Sequence, residues 1–298
     1  MKRAWLIYAL ITTLFWGVWG AFAEFPTRHG FPDTLVYVVW TLTMIPPALY
    51  AMQRVGWRVQ RSGKSILLGS LIGFTGAGGQ MLLFHAVHTG PTYLIFPVIA
   101  LSPVVTIGLS MVFLGERVTR VGALGVLLAL IALPLFNYSP AGDAGAVQGV
   151  TWFIYASIVL LAWGVQGYFM KLANASMDAE NIFLYMTVTS LVLIPIAWWM
   201  TDFSTPIEYG WQGPGLVAIT QILNAVGALT LVYAFRYGRA LVVAPLANAG
   251  APMITAIVSM IVLRVMPNTV TVVAIVLAFL AAALLAIEPE DKLVEQPA

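Results

Sequence analysis

Ten separate apolar runs, each long enough to cross a bilayer, limit what this chain can become more than any other feature. They cover approximately residues 4–23, 33–53, 65–87, 91–113, 119–136, 150–172, 180–200, 214–236, 240–262 and 268–287, and about 20 predominantly apolar residues make one helical span. Backbone amides in hydrocarbon must be satisfied within their own segment or in a closed barrel, and the weakly alternating strands of a barrel would not give continuous apolar runs of this length. The predicted fold class is therefore an all-α polytopic membrane protein of ten transmembrane helices. Charged residues make up 9% of the chain, against roughly a quarter in soluble domains, and the short segments between the runs exclude a large extramembrane domain. Fourteen basic residues meet 12 acidic ones without a long basic run, so nothing points to a nucleic-acid partner. With no cysteine, disulfides, thiol nucleophiles and iron–sulfur clusters are all excluded.

Lysine and arginine fix the predicted orientation. With a cytoplasmic N-terminus, the inner side holds Lys2, Arg3, Arg54, Arg58, Arg61, Lys64, Arg117, Arg120, Lys171, Arg236, Arg239 and Lys292, and the outer side only Arg28 and Arg264. The outer loops carry Asp33, Asp143, Asp202 and Glu208 instead. Both termini are expected in the cytoplasm, in a multi-pass protein of the cell inner membrane. Lys2 and Arg3, an apolar run and Ala21-Phe22-Ala23 imitate a cleavable signal peptide. The segment has a counterpart later in the chain, however, so it is read as part of the core.

That counterpart belongs to a duplication. WGVWGAFAEF at 16–25 aligns with WGVQGYFMKL at 163–172, an offset of 147, and Ile45-Pro46 answers Ile194-Pro195. Ala86, Gly90, Pro97, Pro103 and Met111 answer Ala234, Gly238, Pro245, Pro252 and Met260 at offsets of 147 to 149. The unit is five spans, read as residues 1–140 and 141–298. Five is odd, so the second copy enters the membrane from the opposite side. The charges invert accordingly: the basic loop 54–64 corresponds to the lysine-free, acidic loop 200–213. Inverted repeats of this kind mark secondary transporters, whose two halves rock about a site near the bilayer middle.

With ten spans in two halves, WGVWG and WGVQG opening them, and LSPVVTIGLSMVFLGERVTRVGALGV at 101–126, the chain resembles the drug/metabolite transporter superfamily, and within it the EamA-type exporters. The resemblance covers about residues 5 to 287. It implies export of small metabolites such as amino acids, through a central cavity lined mainly by helices 1, 3, 4, 6, 8 and 9. Aromatic amino-acid exporters are the nearest in general character. In the second half Arg264-Val265 stands where the first has Gly115-Glu116, so a glutamate shared by both repeats is absent.

Charged side chains inside spans are costly and usually functional. All 26 here fall at span ends, loops or tails. The absence of an acidic residue from the middle of any helix favours a facilitator running down its substrate gradient, with proton coupling through histidine or water as the other reading. The absence of buried Arg or Lys disfavours phosphorylated substrates, whose dianions call for them. Neutral, zwitterionic or amphiphilic small molecules are left.

The polar groups at mid-depth are Trp16, Trp163, Gln166, Gln80, Ser102, Gln221, Asn224 and Asn248. Amides both donate and accept, so they suit an ammonium and a carboxylate alike; the alternative is interhelical glue, worth under about 2 kcal/mol per contact. Trp16, Trp163, Gln80, Gln166, Asn224 and Asn248 are the expected substrate contacts, with Ser102 beside them, and Tyr93 and Tyr233 at the outer and inner ends of the same cavity. His85 is expected to contact substrate or sense protons. His85 and His88 could share a metal only with a third ligand, which is not at hand, so neither metal nor cofactor is expected. Pro97 and Pro103 in helix 4, and Pro245 and Pro252 in helix 9, each break a backbone hydrogen bond and read either as hinges or as tolerated kinks. Pro46 and Pro195, nearer the ends of helices 2 and 7, are placed at an inner and an outer gate. Gly69-x-x-x-Gly73, with Gly76, Gly78 and Gly79, gives helix 3 a face for close packing or for substrate passage.

The leading expectation is a carrier exporting amino acids, aromatic or otherwise amphiphilic, or similar metabolites by alternating access. Its partners would be that substrate and membrane lipid; the oligomeric state is left open, and a monomer suffices. The rivals are a channel-like permease and a membrane enzyme, but no HExxH, GxSxG or paired buried aspartates provide catalytic groups.

Overall fold

A computed structural model describes residues 4–114, 119–136, 150–237, 240–264 and 266–286. Every regular element among them is a helix. In chain order these are α1 (Ala4–Phe22), the single turn α2 (Phe25–Arg28), α3 (Asp33–Thr43), α4 (Ile45–Arg54), α5 (Gly63–Thr89), α6 (Thr92–Ile99), α7 (Ser102–Leu114), α8 (Arg120–Phe136), α9 (Thr151–Asn174), α10 (Ala179–Val192), α11 (Ile194–Trp199), α12 (Leu216–Tyr237, entered through a π turn at Trp211–Gly215), α13 (Ala240–Leu263) and α14 (Thr269–Ala286). Seven segments are both long and apolar enough to cross a membrane, and the shorter apolar stretches Arg120–Ala132, Gly250–Leu263 and Thr269–Ala281 complete ten spans. The LGER segment at 114–117 lies largely outside the described residues.

Two of the interruptions are equivalent. The second span breaks at Met44 into α3 and α4 and the seventh at Leu193 into α10 and α11, one residue ahead of Ile45-Pro46 and Ile194-Pro195. Pro46 is the second residue of α4 and sits in the middle of its span, because the break divides that span almost evenly. Both prolines are exposed.

The fourth and ninth spans differ. The fourth breaks at Ala100–Leu101, between Pro97 and Pro103, whereas α13 runs unbroken through Pro245 and Pro252. Six residues separate the first pair and seven the second. At 3.6 residues per turn, a seven-residue spacing returns the missing hydrogen bonds to one face, where one bend absorbs both. A six-residue spacing spreads them over two faces.

Packing follows the duplication. The contact of α5 with α9 is repeated by that of α12 with α1; α7 lies on α9 as α13 lies on α1; α10 lies on α5 as α3 lies on α12; and α8 packs on α14. Each of these contacts joins one repeat to the other, so the halves interlock.

They do so head to tail. The first part of the second span, α3, contacts the last part of the seventh, α11, while α4 contacts α10. At one end Thr34 and Thr201 share a hydrogen bond of 2.8 Å and the Glu208 amide donates to the Gly30 carbonyl. At the other, Asn181 accepts from the Gln60 amide and the Tyr185 hydroxyl donates to the Gln60 carbonyl. These are called below the loop-30 and loop-60 ends.

The WGxxG motifs explain how the helices approach so closely. A Cβ on Gly17 or Gly20 would strike Ile254 or Thr255 of α13, and one on Gly164 or Gly167 would strike Val105 or Thr106 of α7. The threonines complete the contact: Thr255 Oγ1 donates to the Gly17 carbonyl at 3.0 Å and Thr106 Oγ1 to the Gly164 carbonyl at 2.8 Å. Small residues at such crossings let backbones meet without the hydrophobic drive that water would supply. The helix 3 glycines are used in the same way, Gly69 and Gly73 against Tyr185 and Thr189 of α10, and Gly76 and Gly79 against Gln166 and Trp163 of α9.

Candidate functional site

The two motif tryptophans are held alike. Trp16 Nε1 donates to the Asn224 carbonyl at 3.1 Å and Trp163 Nε1 to the Gly76 carbonyl at 3.3 Å. The acceptors are themselves equivalent, at an offset of 148. Each half-buried ring also rests on an equivalent glycine, Gly227 for Trp16 and Gly79 for Trp163, where a Cβ would come within 2.6 Å of the indole nitrogen.

Beyond this frame the repeats diverge. Where α5 has Gly73 and Gly76, α12 has Gln221 and Asn224. Both amides are buried and take up further indoles: Gln221 Oε1 accepts from Trp19 at 2.9 Å and Asn224 Oδ1 from Trp40 at 3.0 Å. A polar and aromatic cluster thus forms where α1, α3 and α12 meet. On the α9 side, Gln166 occupies the position of Trp19 and lies over Gly76, which leaves it the room. Gln80 of α5 is buried, and its Nε2, like that of Gln221, has no hydrogen-bond partner among the described residues. A buried donor left unmade costs about 1–3 kcal/mol, so such groups call for an explanation.

The other sequence-selected residues are spread along the spans. Ser102 is buried at the start of α7, its carbonyl facing Gly164. Tyr93 is buried in α6 near the loop-30 end. Tyr233 joins Tyr8 and Tyr237 near the loop-60 end, with ring centroids 5.5 Å and 6.5 Å away. The side chains of Pro245 and Asn248 lie outside the described residues. His88 is exposed, its ring 6.4 Å from that of His85.

Sequence reasoning missed Trp40 and Asp33. Trp40 carries no motif to distinguish it. Asp33, read as a loop charge, is the first residue of α3 and meets His85 Nδ1 at 2.7 Å. The two are 52 residues apart on different spans, and no local spacing records that meeting. Glu24 and Glu180, also assigned to span ends, are buried to within 3% and 2% of full exclusion from solvent; Glu24 pairs with Arg28 at 3.0 Å.

Chemically, the arrangement offers indole, amide and hydroxyl groups at mid-depth in an inverted duplicate, a setting for binding and passage. The EamA-like transporter family matches the chain twice, over residues 3–138 and 150–287. The chain belongs to that family. It is accordingly a multi-pass membrane protein of the drug/metabolite transporter superfamily. The pseudopaline exporters CntI of two Pseudomonas aeruginosa strains, UCBPP-PA14 and PAO1, are each 28% identical over 198 residues, or 65% of this chain and 65% of theirs. An uncharacterized protein of Methanocaldococcus jannaschii, MJ1333.1, is 31% identical over 61 residues, 20% of this chain and 44% of its own. The matched region thus spans just under two thirds of the exporters. One crystal structure superposes with a TM-score of 0.62 over 93% of this chain and 94% of its own; at 18% identity that likeness shows the shared fold alone.

Proposed function

We propose that this EamA-like protein is a secondary transporter that exports neutral or zwitterionic amphiphilic metabolites, amino acids foremost, by alternating access across the inner membrane. Both termini are cytoplasmic, so the loop-30 end faces outward. The observation that carries the proposal is two buried, unpartnered amide donors, Gln80 Nε2 and Gln221 Nε2, the second on the amide that accepts the Trp19 indole. Such donors suit a carboxylate, and the indole rings suit an amphiphilic side chain. Trp16, Trp163, Gln80, Gln166, Asn224 and Asn248 contact substrate, with Ser102 adjoining and Tyr93 and Tyr233 toward the two ends.

Residues 1–140 and 141–298 are the two copies of the duplication, but the moving bodies exchange helices between them. Glycine-seated crossings bind α1, α12 and α13 into one bundle and α5, α7, α9 and α10 into the other; α3 packs on α12 of the first as α10 packs on α5 of the second and is assigned with it. The bundles rock about the mid-depth site, with the break at Ala100–Leu101 as one hinge.

Purified protein in liposomes should carry labelled tryptophan, phenylalanine or threonine faster than empty vesicles, with saturation and countertransport stimulation. Flux without saturation would instead identify a pore. Trp163→Ala should reduce transport more than Trp57→Ala, because Trp57 is exposed beyond the span. Equal losses would remove the site assignment.

A further inference from the structure

The two ends of the bundle pair are not chemically alike. Near the loop-60 end Tyr8 packs on Tyr233. The offsets of 147 and 148 carry this pair onto Tyr155 and His85 near the loop-30 end, where the rings again meet, edge to face at 4.6 Å. The repeat thus preserves the ring contact and replaces one phenol by an imidazole. It adds a partner as well: His85 Nδ1 lies 2.7 Å from Asp33 Oδ2, and the position equivalent to Asp33, at an offset of 149, is Ile182. Asp33 is fixed in place, because its Oδ1 accepts the Thr34 amide at 2.8 Å.

Asp33 belongs to the α1/α12 bundle and His85 to the α5/α9 bundle, so their contact ties the two bodies together. Three neutral hydrogen bonds make the same crossing on this side: Thr34 with Thr201 at 2.8 Å, the Tyr37 hydroxyl to the Ser190 carbonyl at 3.1 Å, and Thr92 with Ser259 at 2.7 Å. The ionisable tie is not sealed inside the protein, the His85 side chain being 41% exposed and that of Asp33 16%.

Apart from Tyr155, whose ring meets that of His85 at 4.6 Å, the titratable groups around the pair are spread over several elements. His88, on the same helix, is 6.4 Å ring to ring. Tyr155 is the group that α9 presents. Tyr93 is buried in α6, and Tyr185 of α10 bonds Gln60 at the far end. Beyond them Glu24 pairs with Arg28, His29 meets the Phe25 carbonyl at 2.7 Å, Asp202 takes the Ser204 hydroxyl and Glu208 the Gly210 amide.

We propose that Asp33 and His85 form a proton-binding latch on the outer gate, closed while the imidazole carries its proton and released when the outer medium withdraws it. This rests on the alternating-access reading above. Of the side chains, imidazole is the one suited to exchange a proton with an outer medium near neutral pH. Loss of the proton leaves a neutral imidazole N–H on the Asp33 carboxylate in place of an ion pair, so the Coulombic part of the tie is lost and the outer ends separate more readily. At the inner end the position equivalent to Asp33 is Ile182, which has no ionisable group, so the latch is placed on the outer side.

The test uses spin labels on Ile261→Cys of α13 and Ile154→Cys of α9, one exposed site on each bundle, in a chain with no cysteine of its own. In nanodiscs without substrate, electron–electron distances should lengthen as pH rises from about 5 to about 8. In Asp33→Asn and in His85→Gln that pH response should be lost, with His85→Gln resembling the parent at high pH, while His88→Gln keeps it. Either variant suffices if the other fails to fold. A parent distance indifferent to pH, or a response surviving in the folded variants, overturns the latch. Because no substrate is present, failure of the transport assay and failure of the latch are separately legible.

Discussion

The Trp16 indole lies so close over Gly227 that a methyl group there would come within 2.6 Å of its Nε1, and Trp163 stands in the same relation to Gly79. Overpacking a filled contact costs about 1–3 kcal/mol. Gly79→Ala and Gly227→Ala should therefore each lower stability by about that amount, measured by thermal unfolding in detergent. Gly78→Ala, with no atom within 4 Å of the added carbon, should hold or raise stability by up to about 1 kcal/mol, the helix preference of alanine over glycine. Equal behaviour at positions 78 and 79 would show that the indole does not define the crossing.

Arg264 ends α13 with φ 52°, a left-handed conformation that a side chain disfavours. The equivalent position in the first repeat is Gly115, the residue type that helices commonly use just past their last turn. Arg264→Gly should raise stability by about 0.5–1 kcal/mol, the relief of strain exceeding the added freedom of the unfolded chain. A fall in melting temperature would mean that the arginine side chain contributes more than its backbone costs.

The ten spans were legible because lipid demands a long apolar run for each, and the helix limits observed differ from those runs by a few residues. The inversion was legible too, since Arg58 and Glu208 mark equivalent loops facing opposite sides. The glycines of WGVWG and WGVQG were visible as a motif, but not as seats against Ile254 and Val105, because which helices cross is decided by tertiary packing. The same limit hid Asp33 beside His85. A carboxylate at the first turn of a helix reads as solvated until the partner helix is known. The break at Ala100–Leu101 without a counterpart in α13 depended on a one-residue difference in proline spacing, easily passed over when both pairs are read as kinks.

Asp202 lies in the loop after α11, where the Ser204 hydroxyl and amide both donate to its Oδ1, at 2.6 and 2.8 Å. These bonds hold its carboxyl below the ordinary carboxylate range. A carboxyl depressed in the folded state stabilises its turn above the unfolded pKa, and that contribution is lost as pH falls through the folded value. Ser204→Ala should move the carboxyl back toward its ordinary range, as followed by carbon NMR on labelled aspartate. The group is fully exposed, so the melting temperature should stay unchanged; an unmoved titration would show that the turn does not persist in solution.

The proposed cytoplasmic placement of both termini yields a sharper test. Arg58 belongs to the loop-60 end, where its carbonyl accepts from Asn181 Nδ2 at 3.2 Å, and Ile207 precedes the residue whose amide bonds Gly30 at the other end. Single cysteines at the two positions are the only thiols in the chain. A membrane-impermeant maleimide should label Ile207→Cys in intact cells and Arg58→Cys only after permeabilisation. The reverse pattern would keep the inverted fold and overturn the orientation, moving the Asp33–His85 latch to the cytoplasmic side. Labelling of both from one side would be more serious, because two loops joined to the opposite ends of α3–α4 and α10–α11 cannot share a face if those spans lie head to tail.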